Sequence, residues 1–402
     1  MTNYSDAVND ALERLDGLGY ERGPKPEGFV AHGTMCAETL AALGHTGSIP
    51  GYVDGYRRGL AHHDRPEPRF ALNPEDWREA LGDFPRVGDW EVLFERELAE
   101  SPWRTVLARW WPRLVPGLVA GTTHGLIRTA HAVRSLAATP RPTRAQVTEL
   151  TRGLAYWAAR WTRLPGRVRF EGDKTLAQAV AALPRDEMRD SRFRGGRGRG
   201  DDTSALETYA GYHEALRALR PHHTQWLISE MTAEFAGVYL AHPEALPVPP
   251  IHGITAPAAA RLVLPHLPEE LHGPTLAALW QVQALFLLDL THDRRGEDTA
   301  LADADAARTP GLTELAARAV GHGDDHVIKV AEACLREHAL RPDPRYAAAA
   351  YAAQQRIPPY GPTLGRTMYL EIEQRGARYL ELSRDKFGRS AAYDRFLDES
   401  SK

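Results

Sequence analysis

Asp324-Asp325-His326-Val327-Ile328-Lys329-Val330-Ala331-Glu332-Ala333 reads as the opening of an α-helix. An acidic N-cap precedes good helix formers. On that helix His326 and Lys329 are three residues apart and share one face. Only 5 residues of the chain are lysines (Lys25, Lys174, Lys329, Lys386 and Lys402), against 44 arginines. Two readings of Lys329 stand open. It is a surface lysine whose stem lies over apolar neighbours, or an amine kept because burial can neutralise it, as it cannot neutralise Arg.

Outward from this stretch the same periodicity dominates the chain. A short apolar helix is expected over 35–43, just after His32, with Gly44 as its stop. Ser101 and Pro102 are expected to open a long helix as N-cap and first residue, with Pro112 and Pro116 breaking or kinking it. A further helical run over 118–137 carries His124, Arg128 and His131. Helical patterns return at 144–163, 204–219, 223–241, 256–265, 275–291, 313–321, 326–339, 344–355 and 366–383. Thr255-Ala256-Pro257, Pro274-Thr275 and Thr313-Glu314 mark three of these openings. Strand signals are scarce, with one short alternation at 167–172. The glycine- and charge-rich segment 185–203 is expected to be a mobile loop. The fold class is therefore all-α, a single globular domain over 1–402 with long loops.

Composition narrows the function classes. With 43% hydrophobic and 25% charged residues, the chain is that of a soluble globular protein. A net charge of −4 gives no global field for nucleic acid or anionic membrane. No run of 18 apolar residues exists, so no membrane span is expected. The N-terminus reads as an acidic amphipathic helix rather than a signal peptide. Cys36 and Cys334 stand in apolar helical segments, far apart, which suits reduced core residues and a cytoplasmic location. No nucleotide-binding glycine motif and no nucleophile elbow is present. The tryptophans and tyrosines at 103, 110, 111, 156, 157 and 161 form stripes at helical spacing and read as core, or as walls for a flat aromatic ligand.

Of the 17 histidines, five lie before or within apolar helices: His32, His124, His131, His252 and His326. There both ring nitrogens need partners. Neutral imidazole is a common ligand of mid-row metals, and several histidines with one anionic oxygen suit iron, manganese or zinc. The oxygen could come from Asp324, Asp325 or a carboxylated Lys329. The ordinary alternative is that each histidine is a hydrogen-bonded core or capping residue. His62-His63 and His222-His223 read as solvated, and His322 as lying at a helix end.

Four stretches together resemble the questin oxidase-like family: 29–44 (FVAHGTMCAETLAALG) with 51–60 (GYVDGYRRGL); 88–136 (GDWEVLFERELAESPWRTVLARWWPRLVPGLVAGTTHGLIRTAHAVRSL); 251–267 (IHGITAPAAARLVLPHL); and 324–340 (DDHVIKVAEACLREHAL) with 343–350 (DPRYAAAA). The family includes enzymes that open an anthraquinone ring in aromatic polyketide pathways, a chemistry described as Baeyer–Villiger-type oxygen insertion using a reduced nicotinamide. One branch resembles non-haem iron oxygenases whose histidine-rich site is completed by a carboxylated lysine. Carried onto this chain, the resemblance implies His32, His124, His252 and His326 as metal ligands and Lys329 as the carbamate. Where relatives carry a second histidine one turn after the first, this chain has Arg128. His131 then stands in as ligand or as a donor behind the ligands, and Arg128 as the cation that steadies developing negative charge. Glu38 and Asp324 are candidates to orient ligand rings.

The expected function is a metal-dependent oxygenase, with Fe(II) favoured over Mn or Zn, that oxidises a ring of an aromatic polyketide or quinone with dioxygen. The rivals are NADPH-dependent Baeyer–Villiger-type oxidation without metal, a non-catalytic helical binder of an aromatic metabolite, and a zinc or manganese hydrolase on the same ligands.

Overall fold

Helices account for nearly all the regular structure, as the periodicity predicts. The computed structural model describes residues 3–359, apart from 24–28, 74, 186–203, 222–223 and 292. The described residues form 17 helices and one two-stranded sheet. The N-terminal part holds α1 (Tyr4–Leu15), α2 (Gly33–Ala42) and α3 (Ile49–Arg58), with β1 (Glu21–Arg22) pairing antiparallel to β2 (Phe29–Val30). Next come α4 (Val87–Glu100), α5 (Trp103–Leu114), α6 (His124–Ala138), α7 (Arg144–Ala159), α8 (Leu176–Ala182), α9 (Ser204–Thr208) and α10 (Ala210–Ala218). The chain continues through α11 (Thr224–Ala241), α12 (His252–Val263), α13 (His272–Leu290), α14 (Ala300–Ala306), α15 (Leu312–His322), α16 (Asp325–Leu340) and α17 (Pro344–Arg356). The described residues up to 359 belong to one compact unit. The helix expected at 366–383 and nearly all of the loop expected at 185–203 lie outside the described residues.

Several boundaries differ from expectation for identifiable reasons. Ser101 does not open a helix; it ends α4 in an extended conformation, and Pro102 becomes the residue before α5. A residue preceding proline is pushed out of the helical region, which decides the matter. The run at 118–137 becomes helical only from His124. Gly311, not Thr313, precedes α15, and the 204–219 pattern breaks at Tyr209. Residues 167–172 are irregular rather than a strand. Pro257 lies inside α12, five residues past its start, instead of at its opening. A proline there leaves the carbonyl four residues back without its N–H partner, and the Gln283 side chain of α13 donates to that Gly253 oxygen at 2.9 Å.

The core is wide and aromatic. Trp90, Trp110, Trp111, Trp157 and Trp280 are fully buried. Each indole N–H finds an acceptor: Ala80 O, Glu97, Thr275, Gly117 O and Ala215 O respectively. The stripe residues Trp110, Trp111, Tyr156 and Trp157 are thus core, while Trp103 and Trp161 are half-buried.

Four helices form a closed circuit within this core. Helix α2 packs on α6, α6 on α12, α12 on α16, and α16 back on α2. Glycine permits the close packing against these helices. A Cβ on Gly125 would stand 2.6 Å from Cγ of Trp157, and one on Gly253 would stand 2.1 Å from Phe235.

Candidate metal centre

Each helix of that circuit begins at a histidine. His32 immediately precedes α2, His124 opens α6, His252 opens α12, and His326 is the second residue of α16. The four rings meet. The His32 ring stacks on His124 at 4.6 Å and meets His326 edge-on at 4.5 Å; His252 meets His124 at 4.6 Å and His326 at 5.5 Å, centroid to centroid. One ring nitrogen from each of His32, His124 and His326 lies within 4.8 Å of the others. The Nε2 atoms of His124 and His252 are 3.3 Å apart.

The far nitrogens set the tautomers. His124 Nδ1 stands 2.6 Å from Gly121 O and His252 Nδ1 stands 3.2 Å from Pro249 O. A carbonyl only accepts, so each Nδ1 must carry the proton. In a neutral ring Nε2 is then a bare lone pair. Two such lone pairs facing each other at 3.3 Å repel unless a cation lies between them. Two donors each ~2.1 Å from one ion at a tetrahedral angle lie ~3.4 Å apart, so the spacing suits a shared metal. The other two rings are backed by carboxylates: Asp325 Oδ2 lies 3.7 Å from His32 Nδ1, and Asp324 Oδ1 lies 3.8 Å from His326 Nδ1.

The backbone before His124 is unusual. Gly121, Thr122 and Thr123 have φ of 53°, 55° and 67°, three consecutive left-handed residues. Two are β-branched, for which this region is strained. The turn reverses the chain so that Gly121 O reaches back to the His124 ring, and such strain persists where surrounding structure enforces it.

Lys329 is 4% exposed. Its amine makes no hydrogen bond or salt bridge among the described residues. Burial pushes its pKa down, against the pull of Asp325, Cys36 and Asp324. The surface-lysine reading is thereby set aside. Burial and the Lys329 charge together push His252 down to about 3. His32, His124 and His326 are held well below the ordinary imidazole range by burial, Lys329 and one another. All four imidazoles are neutral donors at pH 7. Burial, reinforced by Asp325, pushes Asp324 up to about 7, while its carboxylate caps α16 by accepting from His326 N and Val327 N at 2.9 and 3.1 Å.

Arg128 and His131, both on α6, are each held by a carboxylate. Arg128 is a buried bidentate partner of Glu149, at 2.8 and 2.9 Å, with its guanidinium 5.1 Å from the Tyr20 ring centre. It forms an ion pair with α7. His131 Nδ1 binds Glu38 at 2.6 Å. Glu38 also holds Arg134, which reaches Glu332 on α16. Glu332 then meets Arg336, Arg336 meets Glu337, and Glu337 meets Arg261 of α12. This buried ladder ties the four circuit helices to one another below the histidines. Glu38 therefore orients His131, not a ring of the cluster.

The remaining histidines sort as follows. His62 is half-buried rather than solvated, its ring 5.3 Å from Tyr56, and it bridges to Arg22 beside the small sheet. His63 Nε2 meets Gly23 O at 2.8 Å. His322 ends α15 before the left-handed Gly323, as expected. His222-His223 lie outside the described residues. Sequence reasoning missed Arg22, whose charge is felt by His326, and the Gly121–Thr123 turn. Neither leaves a periodic signal.

No protein-family model and no curated protein matches this chain. No helix among the described residues is long and apolar enough to cross a membrane.

Proposed function

We propose that this protein is a metal-dependent oxygenase, with iron as its metal, acting on a ring of an aromatic or quinone-type substrate. The observation that carries the reading is the meeting of four neutral imidazoles with one buried lysine, whose amine makes no hydrogen bond among the described residues, at the starts of four helices. His32, His124, His252 and His326 are the ligands in this reading, and Lys329 is the fifth. A ferrous ion held there would supply the one-electron chemistry that dioxygen needs to react with a closed-shell organic ring.

Electrostatics favours an anionic form of Lys329. Four helix N-termini each bring about half a positive charge. An ammonium and a metal cation at the same place would deepen that excess. A neutral amine that bonds to carbon dioxide and gives up one proton to solvent becomes a carbamate, placing a negative charge where an ammonium would have put a positive one. The protein's other contributions are orientation and exclusion of water. Main-chain carbonyls fix the His124 and His252 tautomers, and the buried ladder fixes the helices behind them. His326 is more open than His32, with 16% of its side chain accessible against 6%. Substrate would therefore approach on the His326 side of the cluster.

The test is oxygen uptake by protein loaded anaerobically with ferrous ion, on adding polyphenols and anthraquinones. Uptake that needs both metal and substrate is expected. Substrate turnover without oxygen uptake would favour a hydrolase, turnover requiring NADPH without metal would favour the nicotinamide route, and tight substrate binding without turnover would favour a carrier.

A further inference from the structure

Helix α3 carries two tyrosines one turn apart, Tyr52 and Tyr56, that both act on His32. Tyr56 accepts the His32 backbone N–H at 2.7 Å. The close approach needs Gly33, where a Cβ would stand 2.8 Å from the Tyr56 ring. Tyr52 donates its hydroxyl to Asp325 Oδ1 at 2.5 Å. The other Asp325 oxygen faces His32 Nδ1 at 3.7 Å. The two rings of α3 lie 5.9 Å apart.

His32 differs from its neighbours in what backs its ring. His124 and His252 lean on main-chain carbonyls, which cannot rotate away. His326 faces Asp324, itself pinned by two backbone N–H groups. Asp325 stands at the first position of α16, where no comparable main-chain anchor is present among the described residues. A carboxylate in that position has free rotamers unless a second group holds it.

We infer that Tyr52 is a positioning residue for the metal centre: it locks Asp325, whose other oxygen faces His32 Nδ1 at 3.7 Å and steers that ring by charge at a range longer than a hydrogen bond. The inference rests on the metal-centre reading above and deepens it. It assigns to the GYVDGY segment of α3 a role in ligand geometry.

The test is a Co2+ titration of full-length, chelator-treated protein, followed by the visible ligand-field spectrum. Tyr52→Phe keeps the ring and removes only the hydroxyl; Asp325→Asn keeps the shape. Each should weaken Co2+ binding about 10- to 100-fold and alter the ligand-field band, the range seen when groups behind a ligand are removed. The double variant should be no weaker than either single one. Tyr52→Phe with wild-type affinity and spectrum, whatever its melting temperature, overturns the inference alone. Should Tyr52→Phe not fold, Asp325→Asn supplies the same readout, and wild-type affinity and spectrum there overturn the inference equally. Wild-type protein that takes up no Co2+ overturns the metal centre itself, and this inference with it.

Discussion

At the residue scale, Lys329 is a buried lysine, 4% exposed, whose amine makes no hydrogen bond among the described residues. Its burial costs solvation that the attraction of Asp325, Cys36 and Asp324 offsets only in part. Lys329→Met should therefore stabilise the metal-free protein by about 1–3 kcal/mol in denaturant unfolding with chelator present, while abolishing metal uptake. A drop in stability would mean that the amine is satisfied. Glu38 makes the opposite case. Burial alone would raise its carboxyl, but Arg134 and His131 outweigh it and hold Glu38 at about 2, against an ordinary 4.5. The folded state thus releases this proton more readily than the unfolded chain does. Its stabilisation, about 3 kcal/mol, is complete above pH 4.5 and fades as pH falls toward 2. Glu38→Gln should flatten acid unfolding curves across that window. His326 and Lys329 are legible in the sequence because a helix makes their three-residue spacing local. The role of Arg128 is not, because its partner, Glu149, lies on another helix and nothing in the spacing reports that.

Single helices show how packing overrides local rules. Proline signals place the start of α12 near Thr255, but the helix begins at His252 because Gln283 replaces the hydrogen bond that Pro257 cannot make. Gln283→Leu should cost about 1–3 kcal/mol by leaving the Gly253 carbonyl unsatisfied. Adding Pro257→Ala restores the N–H and should recover most of that loss, giving a non-additive cycle in urea unfolding. Additive losses would show that the side chain serves some other purpose. The start of α6 is equally unreadable. Three successive left-handed residues follow no propensity rule, and only the surrounding core holds them.

Across the whole molecule, the circuit of α2, α6, α12 and α16 joins segments spread from Gly33 to Leu340. Helical content is legible from periodicity alone. The histidines stand out in the sequence by their apolar helical contexts, but the convergence of four helix starts leaves no local pattern, since tertiary packing decides which ends meet. A metal held by all four starts binds only the folded chain, so it must raise stability. With free metal about 1,000-fold above Kd the gain is about 4 kcal/mol, and chelation should lower the melting temperature accordingly. An unchanged transition would mean that no ion bridges the helices.

The most direct test is elemental analysis of freshly purified wild-type protein beside Lys329→Ala and His326→Ala. The account predicts one iron per wild-type chain and a vacant site in both variants. Wild-type protein without stoichiometric metal, or Lys329→Ala with full metal content, would contradict it.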